Sequence, residues 1–335
     1  MRISFLVAAF LALLVTVAVA SEIEDNCLNS TNHLIEFIDA LQQQVVNFTG
    51  VARIPFRYPE RPTITASIGG QKFELLLDSG TRLSVLKLDA NEKPPIGLHF
   101  VGSDSALADL DGSRQLEYPD HSLKYAEAAL LSSGELRIRR LPFRIYSYAD
   151  GRPPSDFAGS LSVSALRDFV VGIDNDAQEV CIQEPGSYQP ARTAAAIPML
   201  QLHDMLLVKA QAGQGELLLM LDTGYSGEIL LSDEATRKQD QALTYTGKLS
   251  AQYSGFHGEI QGNEFLLDDL KFTSQPWPGL ASGTISQGML AGVAIEAELE
   301  RTALGQLDGI LGAGFLSRFN YAIDQSRGVL FLQER

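Results

Sequence analysis

Residues 73–86 read FELLLDSGTRLSVL, and residues 217–231 read LLLMLDTGYSGEILL. In both, an apolar run with strand character leads into an acid, a small hydroxyl residue and Gly. Taken alone, Asp-Ser-Gly or Asp-Thr-Gly is an ordinary turn, because all of these residue types favour turns. Two copies in one chain call for a common cause.

Working outward from Asp78 and Asp222, an offset of 144 lays IGGQKFELLLDSG over AGQGELLLMLDTG. A second block matches without a gap at an offset of 150: GSLSVSALRDFVVGID (159–174) over GILGAGFLSRFNYAID (309–324). Gly159, Leu161, Leu166, Phe169 and Ile173-Asp174 recur as Gly309, Leu311, Leu316, Phe319 and Ile323-Asp324. Two ordered blocks at nearly equal offsets indicate an internal duplication. From about Arg53 onward the pattern is short alternating apolar runs broken by Gly, Pro, Asn and Asp, a mainly β signature. The reading is therefore an all-β chain of two related lobes, 51–184 and 199–335, joined by a Pro- and Ala-rich linker at 185–198.

Lobes related by a pseudo-two-fold axis bring the matched turns together, so Asp78 and Asp222 can meet. Two adjacent carboxyls do not both ionise cheaply. One proton is shared, and the pair offers an acid and a base at the same pH. Such a pair can activate a water for attack on a carbonyl and protonate the carbonyl oxygen. Gly80 and Gly224 permit a tight turn and close backbone approach, while Ser79 and Thr223 bring hydroxyls able to bond across the boundary.

These motifs resemble those of the aspartic proteases of the pepsin and retropepsin group. LLLDSGT and LMLDTGYSG are similar to that family's active-site motif. LDGILGAGFL, with Ile310-Leu311-Gly312, is similar to the apolar-apolar-Gly segment that packs behind it. The compact lobes and the DTGxSG wording look more like retropepsin domains fused in tandem. The resemblance spans about residue 53 to the C-terminus. It implies a bilobal acid-protease fold with the site between the lobes, an extended peptide or protein substrate, no cofactor, and catalysis by Asp78 and Asp222. Ser79, Gly80, Thr81, Thr223, Gly224, Ile310, Leu311 and Gly312 would support them. Two positions depart from the pattern: Ser160-Leu161-Ser162 stands where Ile310-Leu311-Gly312 is expected, and Tyr225 is bulky where a small residue is usual. They keep open a non-catalytic peptide-binding or assembly module of the same fold. The family's flap hairpin would fall on Gly255, Phe256, His257 and Gly258, or on Gly102 to Arg114, either of which also reads as a plain surface loop.

The rest of the chain narrows the setting. Its 335 residues, 45% hydrophobic, suffice for two ordinary domains. A formal charge of −15 without basic runs argues against nucleic-acid binding. Arg2, the apolar run Phe5 to Ala20 and Ala18-Val19-Ala20 predict a signal peptide over 1–20, hence a periplasmic or secreted protein; retention of residues 5–20 as a membrane anchor is the alternative. In an exported protein Cys27 and Cys181 can form a disulfide, or remain two buried thiols. Asn29 and Asn47 fit glycosylation acceptors. Leu34, Phe37, Ile38, Leu41, Val45 and Phe48 fall at helical spacing, which predicts an amphipathic helix within a 21–50 arm. His33, His99, His121, His203 and His257 lack metal-ligand spacing, so no metal is expected. Gly224-Tyr225-Ser226-Gly227-Glu228 fails the serine-hydrolase elbow. Trp277 reads as a loop anchor or a cleft-edge aromatic, and a monomer is expected.

Overall fold

Alternation of apolar and polar residues sets the strands: in Ala52–Arg57 every second side chain is buried. The computed structural model describes residues 44–57, 61–89, 93–102, 124–148, 157–202, 205–213, 215–239, 242–254, 258–295, 301–302 and 305–335. The first half forms β1 (Val45–Asn47), β2 (Ala52–Arg57), β3 (Thr63–Ile68), β4 (Gln71–Asp78), β5 (Ser84–Asp89), β6 (Leu98–Gly102), β7 (Lys124–Ser133), β8 (Leu136–Tyr148), β9 (Gly159–Ser162), β10 (Val170–Asp174) and β11 (Glu179–Gln183). The second forms β12 (Ala195–Leu202), β13 (Met205–Ala212), β14 (Gly215–Asp222), β15 (Ile229–Ser232), helix α1 (Asp233–Lys238), β16 (Leu243–Ser254), β17 (Gly258–Leu267), β18 (Leu270–Thr273), β19 (Thr284–Gln287), β20 (Leu290–Ile295), β21 (Arg301–Thr302), β22 (Gly305–Gln306), β23 (Gly309–Gly312), helix α2 (Ala313–Leu316), β24 (Phe319–Asp324) and β25 (Val329–Glu334).

Both lobes use one topology. In the first, β9 threads between β4, to which it is parallel, and β5, to which it is antiparallel. In the second, β23 threads between β14 and β15 in the same senses. The registers correspond: Asp78 stands beside Ser162, and Asp222 beside Gly312. β5 then pairs in parallel with β8, as β15 does with β20.

A six-stranded antiparallel sheet ties the lobes together in the order β2, β11, β10, β24, β25, β12. Its centre is the pairing of β10 with β24, the strands that close the two copies of the longer repeat. Gly172 pairs directly with Ala322, its counterpart at the 150-residue offset. The pseudo-two-fold axis therefore passes between these two residues. Buried aliphatic and aromatic side chains of both halves form the main core.

Two expectations change. Val45–Asn47, read as the end of a helix, is strand β1, paired with Arg137–Arg139 of β8. Its two β-branched residues and the pairing groups of β8 outweigh the helical spacing, as tertiary context commonly does. The rest of the 21–50 arm and the predicted signal peptide lie outside the described residues. The stretch read as a linker also ends early, since β12 begins at Ala195. β12 leaves β25 for β13 at Pro198-Met199, so the proline sits where one sheet gives way to another. Among the described residues no helix is long and apolar enough to cross a membrane.

Candidate functional site

Asp78 ends β4 and Asp222 ends β14, and both are buried. The N–H of Gly80 donates to Asp78 Oδ1 (2.9 Å). Gly224 and Tyr225 donate to Asp222 Oδ1 (2.8 and 3.1 Å). Each glycine touches the carboxyl of the other lobe. A methyl group at Gly80 would lie 2.4 Å from Cγ of Asp222, and one at Gly224 would lie 2.8 Å from Cγ of Asp78. No side chain larger than hydrogen fits either place without moving a carboxyl.

The hydroxyls beside the acids bond reciprocally across the lobe boundary. Ser79 Oγ donates to the Leu221 carbonyl (2.8 Å) and accepts from Thr223 N–H (3.0 Å). Thr223 Oγ1 donates to the Leu77 carbonyl (2.6 Å) and accepts from Ser79 N–H (3.0 Å). Four buried bonds with every donor and acceptor matched fix the separation of the two turns.

Burial, and then the charge of Asp222, hold the Asp78 carboxyl well above the ordinary range, against the pull of the Gly80 and Thr81 N–H groups. Burial also raises Asp222, opposed by the N–H groups of Gly224 and Tyr225 and by a hydrogen bond from Asp78. The two carboxyls act on each other, so their titration belongs to the pair.

Behind the acids, Ile310, Leu311 and Gly312 run beside Met220, Leu221 and Asp222, and Ser160, Leu161 and Ser162 run beside Leu76, Leu77 and Asp78. Thr81 turns its hydroxyl to the Leu83 carbonyl (2.8 Å). Gly255, Phe256 and His257 lie outside the described residues. Gly258 opens β17, which pairs with β16 in a long hairpin ending at Ser254 and Gly258. Of the alternative flap stretch only Gly102 is described, at the end of β6. Cys181 is a free, half-buried thiol near Arg53, and Cys27 lies outside the described residues. Trp277 packs edge-on against Phe331 (4.9 Å between centroids), with Arg327 stacked on it, which is a loop anchor on the six-stranded sheet. Among the described residues, no group of three or more His, Cys, Asp or Glu is placed to hold a metal ion.

Two cross-lobe contacts have no place in the sequence reading. The Asn175 amide donates to the Phe319 carbonyl (2.5 Å), and the Gln325 amide donates to the Val163 carbonyl (2.8 Å). Both are buried and directly follow the matched Ile-Asp of the longer repeat. An amide in the same place after each copy was the available signal.

The strand order, the two threaded strands and the shared sheet define the fold of the pepsin-like aspartic proteinases. No family model and no curated protein matches the chain. Among solved structures, the aspartic proteinase from Irpex lacteus aligns with a TM-score of 0.50 at 14% identity, over 85% of this chain and 97% of that one. Basic 7S globulin from soybean aligns with a TM-score of 0.50 at 10% identity, over 85% of this chain and 95% of that one. At such identities the likeness is one of fold. A proteinase and a globulin share it, so the site residues have to carry any argument for catalysis.

Proposed function

We propose that this chain is an aspartic-type endopeptidase, built as tandem retropepsin-like lobes, which hydrolyses peptide bonds between Asp78 and Asp222. The observation that carries the reading is the buried pair itself, locked by the reciprocal Ser79 and Thr223 bonds and approached by two glycines that leave the carboxyls room. The ionised member takes a proton from water as its oxygen attacks the peptide carbonyl, and the protonated member gives its proton to the carbonyl oxygen. Collapse of the resulting diol breaks the C–N bond and returns a proton to the amine. The substrate is an extended peptide or protein segment. Export by cleavage after Ala20, and a monomeric state, belong to the same proposal.

A non-catalytic peptide-binding module was motivated by Ser162 and Tyr225. Both side chains pack without displacing the N–H contacts to Asp78 or Asp222, which supports hydrolysis over binding alone. The test is cleavage of a mixed peptide library by the chain from Ser21, across pH 3 to 8, beside Asp78→Asn and Asp222→Asn. Each substitution is expected to lower turnover by about 10²- to 10⁴-fold, the usual worth of a positioned acid or base. A wild type that binds peptide but never cleaves, with binding unchanged in both variants, would establish the binding module instead.

A further inference from the structure

Behind the two carboxyls the supports differ at 160 against 310 and, nearer the acids, at one facing pair of positions. In the first lobe these are Thr81 and Ser162. The Ser162 hydroxyl donates to the Thr81 carbonyl (2.7 Å) and accepts from the N–H of Ser164 (3.1 Å), capping the short turn at Val163–Leu166. In the second lobe the same places hold Tyr225 and Gly312. Tyr225 is fully buried. A methyl group at Gly312 would stand 2.5 Å from its Cδ1 and 2.2 Å from the carbonyl oxygen of Gly227. The Gly227 carbonyl alone excludes a side chain at 312, and the bare Gly312 leaves the room in which the Tyr225 ring packs against it.

The Tyr225 backbone is held from both sides. Its N–H donates to Asp222 Oδ1 (3.1 Å), and its carbonyl accepts from Ala313 N–H (2.8 Å), at the start of α2. The next turn is fixed as well, because Gly312 N–H donates to the Glu228 carbonyl (3.0 Å) and the Glu228 carboxylate pairs with Arg318. Where the ring sits thus determines where one of the two Asp222 donors sits. We propose that Tyr225, seated against Gly312, is the positioning residue for Asp222, a size fit doing in the second lobe what the Ser162 hydroxyl does for Asp78 in the first.

The consequence concerns the ionised carboxyl. Among the described residues, Asp78 and the Tyr225 phenol are the titratable groups that face Asp222. The N–H groups of Gly224 and Tyr225 favour its charged form. If the loop shifts, that form loses a donor and the pair needs a higher pH to lose its first proton.

The kinetic part of the test rests on the hydrolytic reading. Two proteins are compared with wild type in the full chain: Tyr225→Phe and Tyr225→Thr. Tyr225→Phe keeps the ring and is expected to keep the pH profile. Tyr225→Thr is expected to lower kcat/KM by about 100-fold, the scale of a misplaced catalytic group, and to move the acid limb to higher pH. A Tyr225→Thr profile with an unmoved acid limb would overturn the proposal. If Tyr225→Thr does not fold, Tyr225→Leu, which keeps more of the buried volume, makes the same comparison. Should the wild type prove inert, the hydrolytic reading fails on that result, and carbon-13 NMR titration of the aspartate carboxyls takes over. An Asp222 titration identical in wild type and Tyr225→Thr then refutes the positioning role.

Discussion

The two lobes share a backbone plan but fill it from different sides. In the first, Phe143 of β8 lies across from Ala126 of β7; in the second, the corresponding pair is Gly292 of β20 and Phe265 of β17. Each lobe buries one aromatic ring at this layer, delivered from opposite strands. A methyl group at Gly292 would lie 2.2 Å from Cζ of Phe265. The Thr81 and Ser162 pair against Tyr225 and Gly312 repeats the theme beside the acids. Selection on a packed layer acts on its total volume, so a duplicated fold can exchange large and small residues between facing strands while the strands stay in place.

The largest break in this comparison is expected at the aromatic layer. Phe265→Ala should cost about 3–5 kcal/mol in denaturant unfolding, as for a ring removed from a packed core. Phe265→Ala with Gly292→Phe, which rebuilds the first lobe's arrangement, should recover much of that loss. A double variant less stable than Phe265→Ala would show that the two layers are not interchangeable.

A smaller effect is expected at the lobe boundary, where the halves are most alike. Ser79→Ala and Thr223→Val each leave buried groups on the other lobe unpaired, at about 1–3 kcal/mol. The near-symmetric bonding predicts similar costs for the two. Their double should cost close to the sum, because each side chain bonds only backbone groups of the other lobe and its loss leaves a separate set of them unpaired. Urea unfolding of the three variants measures both points, and unequal single costs would place the burden on one lobe.

How much of this was legible follows from the same contrast. The turns at Asp78 and Asp222 and the closing strands β10 and β24 keep their residue types, because a carboxyl, a hydroxyl, a glycine and a strand on the axis leave few substitutes. The all-β duplicated fold could therefore be read from the sequence. Ser162 and Tyr225 read as defects in the motif because each was compared with its counterpart alone. Each makes sense only beside a facing residue 81 or 87 positions away. Val45 misled for a related reason: its helical spacing is local, whereas β8, which pairs with it, is distant in sequence. Asn175 and Gln325 carried a signal, an amide after each repeat, but their contacts depend on the axis that the repeat creates.

Asp78 offers a test read as a trend with pH. Its folded-state pKa is raised, chiefly by burial, so the folded chain holds that proton more tightly than the unfolded chain does. Wild-type stability from this group is then full below the unfolded carboxyl value of about 3.9 and declines as pH rises through the raised folded value. Asp78→Asn carries no charge to bury. Its Tm relative to wild type should therefore climb between acid and neutral pH, even as cleavage is lost. A difference in Tm that stays constant with pH would mean that Asp78 is not held protonated by its surroundings.

The smallest effect is expected where the lobes stop resembling each other. Register and the equivalent bonds from Lys87 N–H to Ala158 and from Ser232 N–H to Asp308 make Lys87 and Ser232 counterparts. In the first lobe β5 continues past Lys87 as a strand, burying an amine whose pKa falls to about 8 through desolvation. In the second the strand stops at Ser232, whose hydroxyl accepts from Ala235 N–H (3.2 Å) and caps α1. Ser232→Ala should cost about 1 kcal/mol, and Ser232→Gly only a few tenths, since glycine also suits a helix N-cap. Asp233 and Glu234 in the first turn, with Arg237 and Lys238 in the last, continue to favour the helix when the cap is gone. Equilibrium unfolding of the two variants resolves the difference. If Ser232→Gly instead cost as much as Phe265→Ala, the helix would be needed to close the second lobe, and the change from strand to helix would be part of the fold's core rather than an elaboration at its edge.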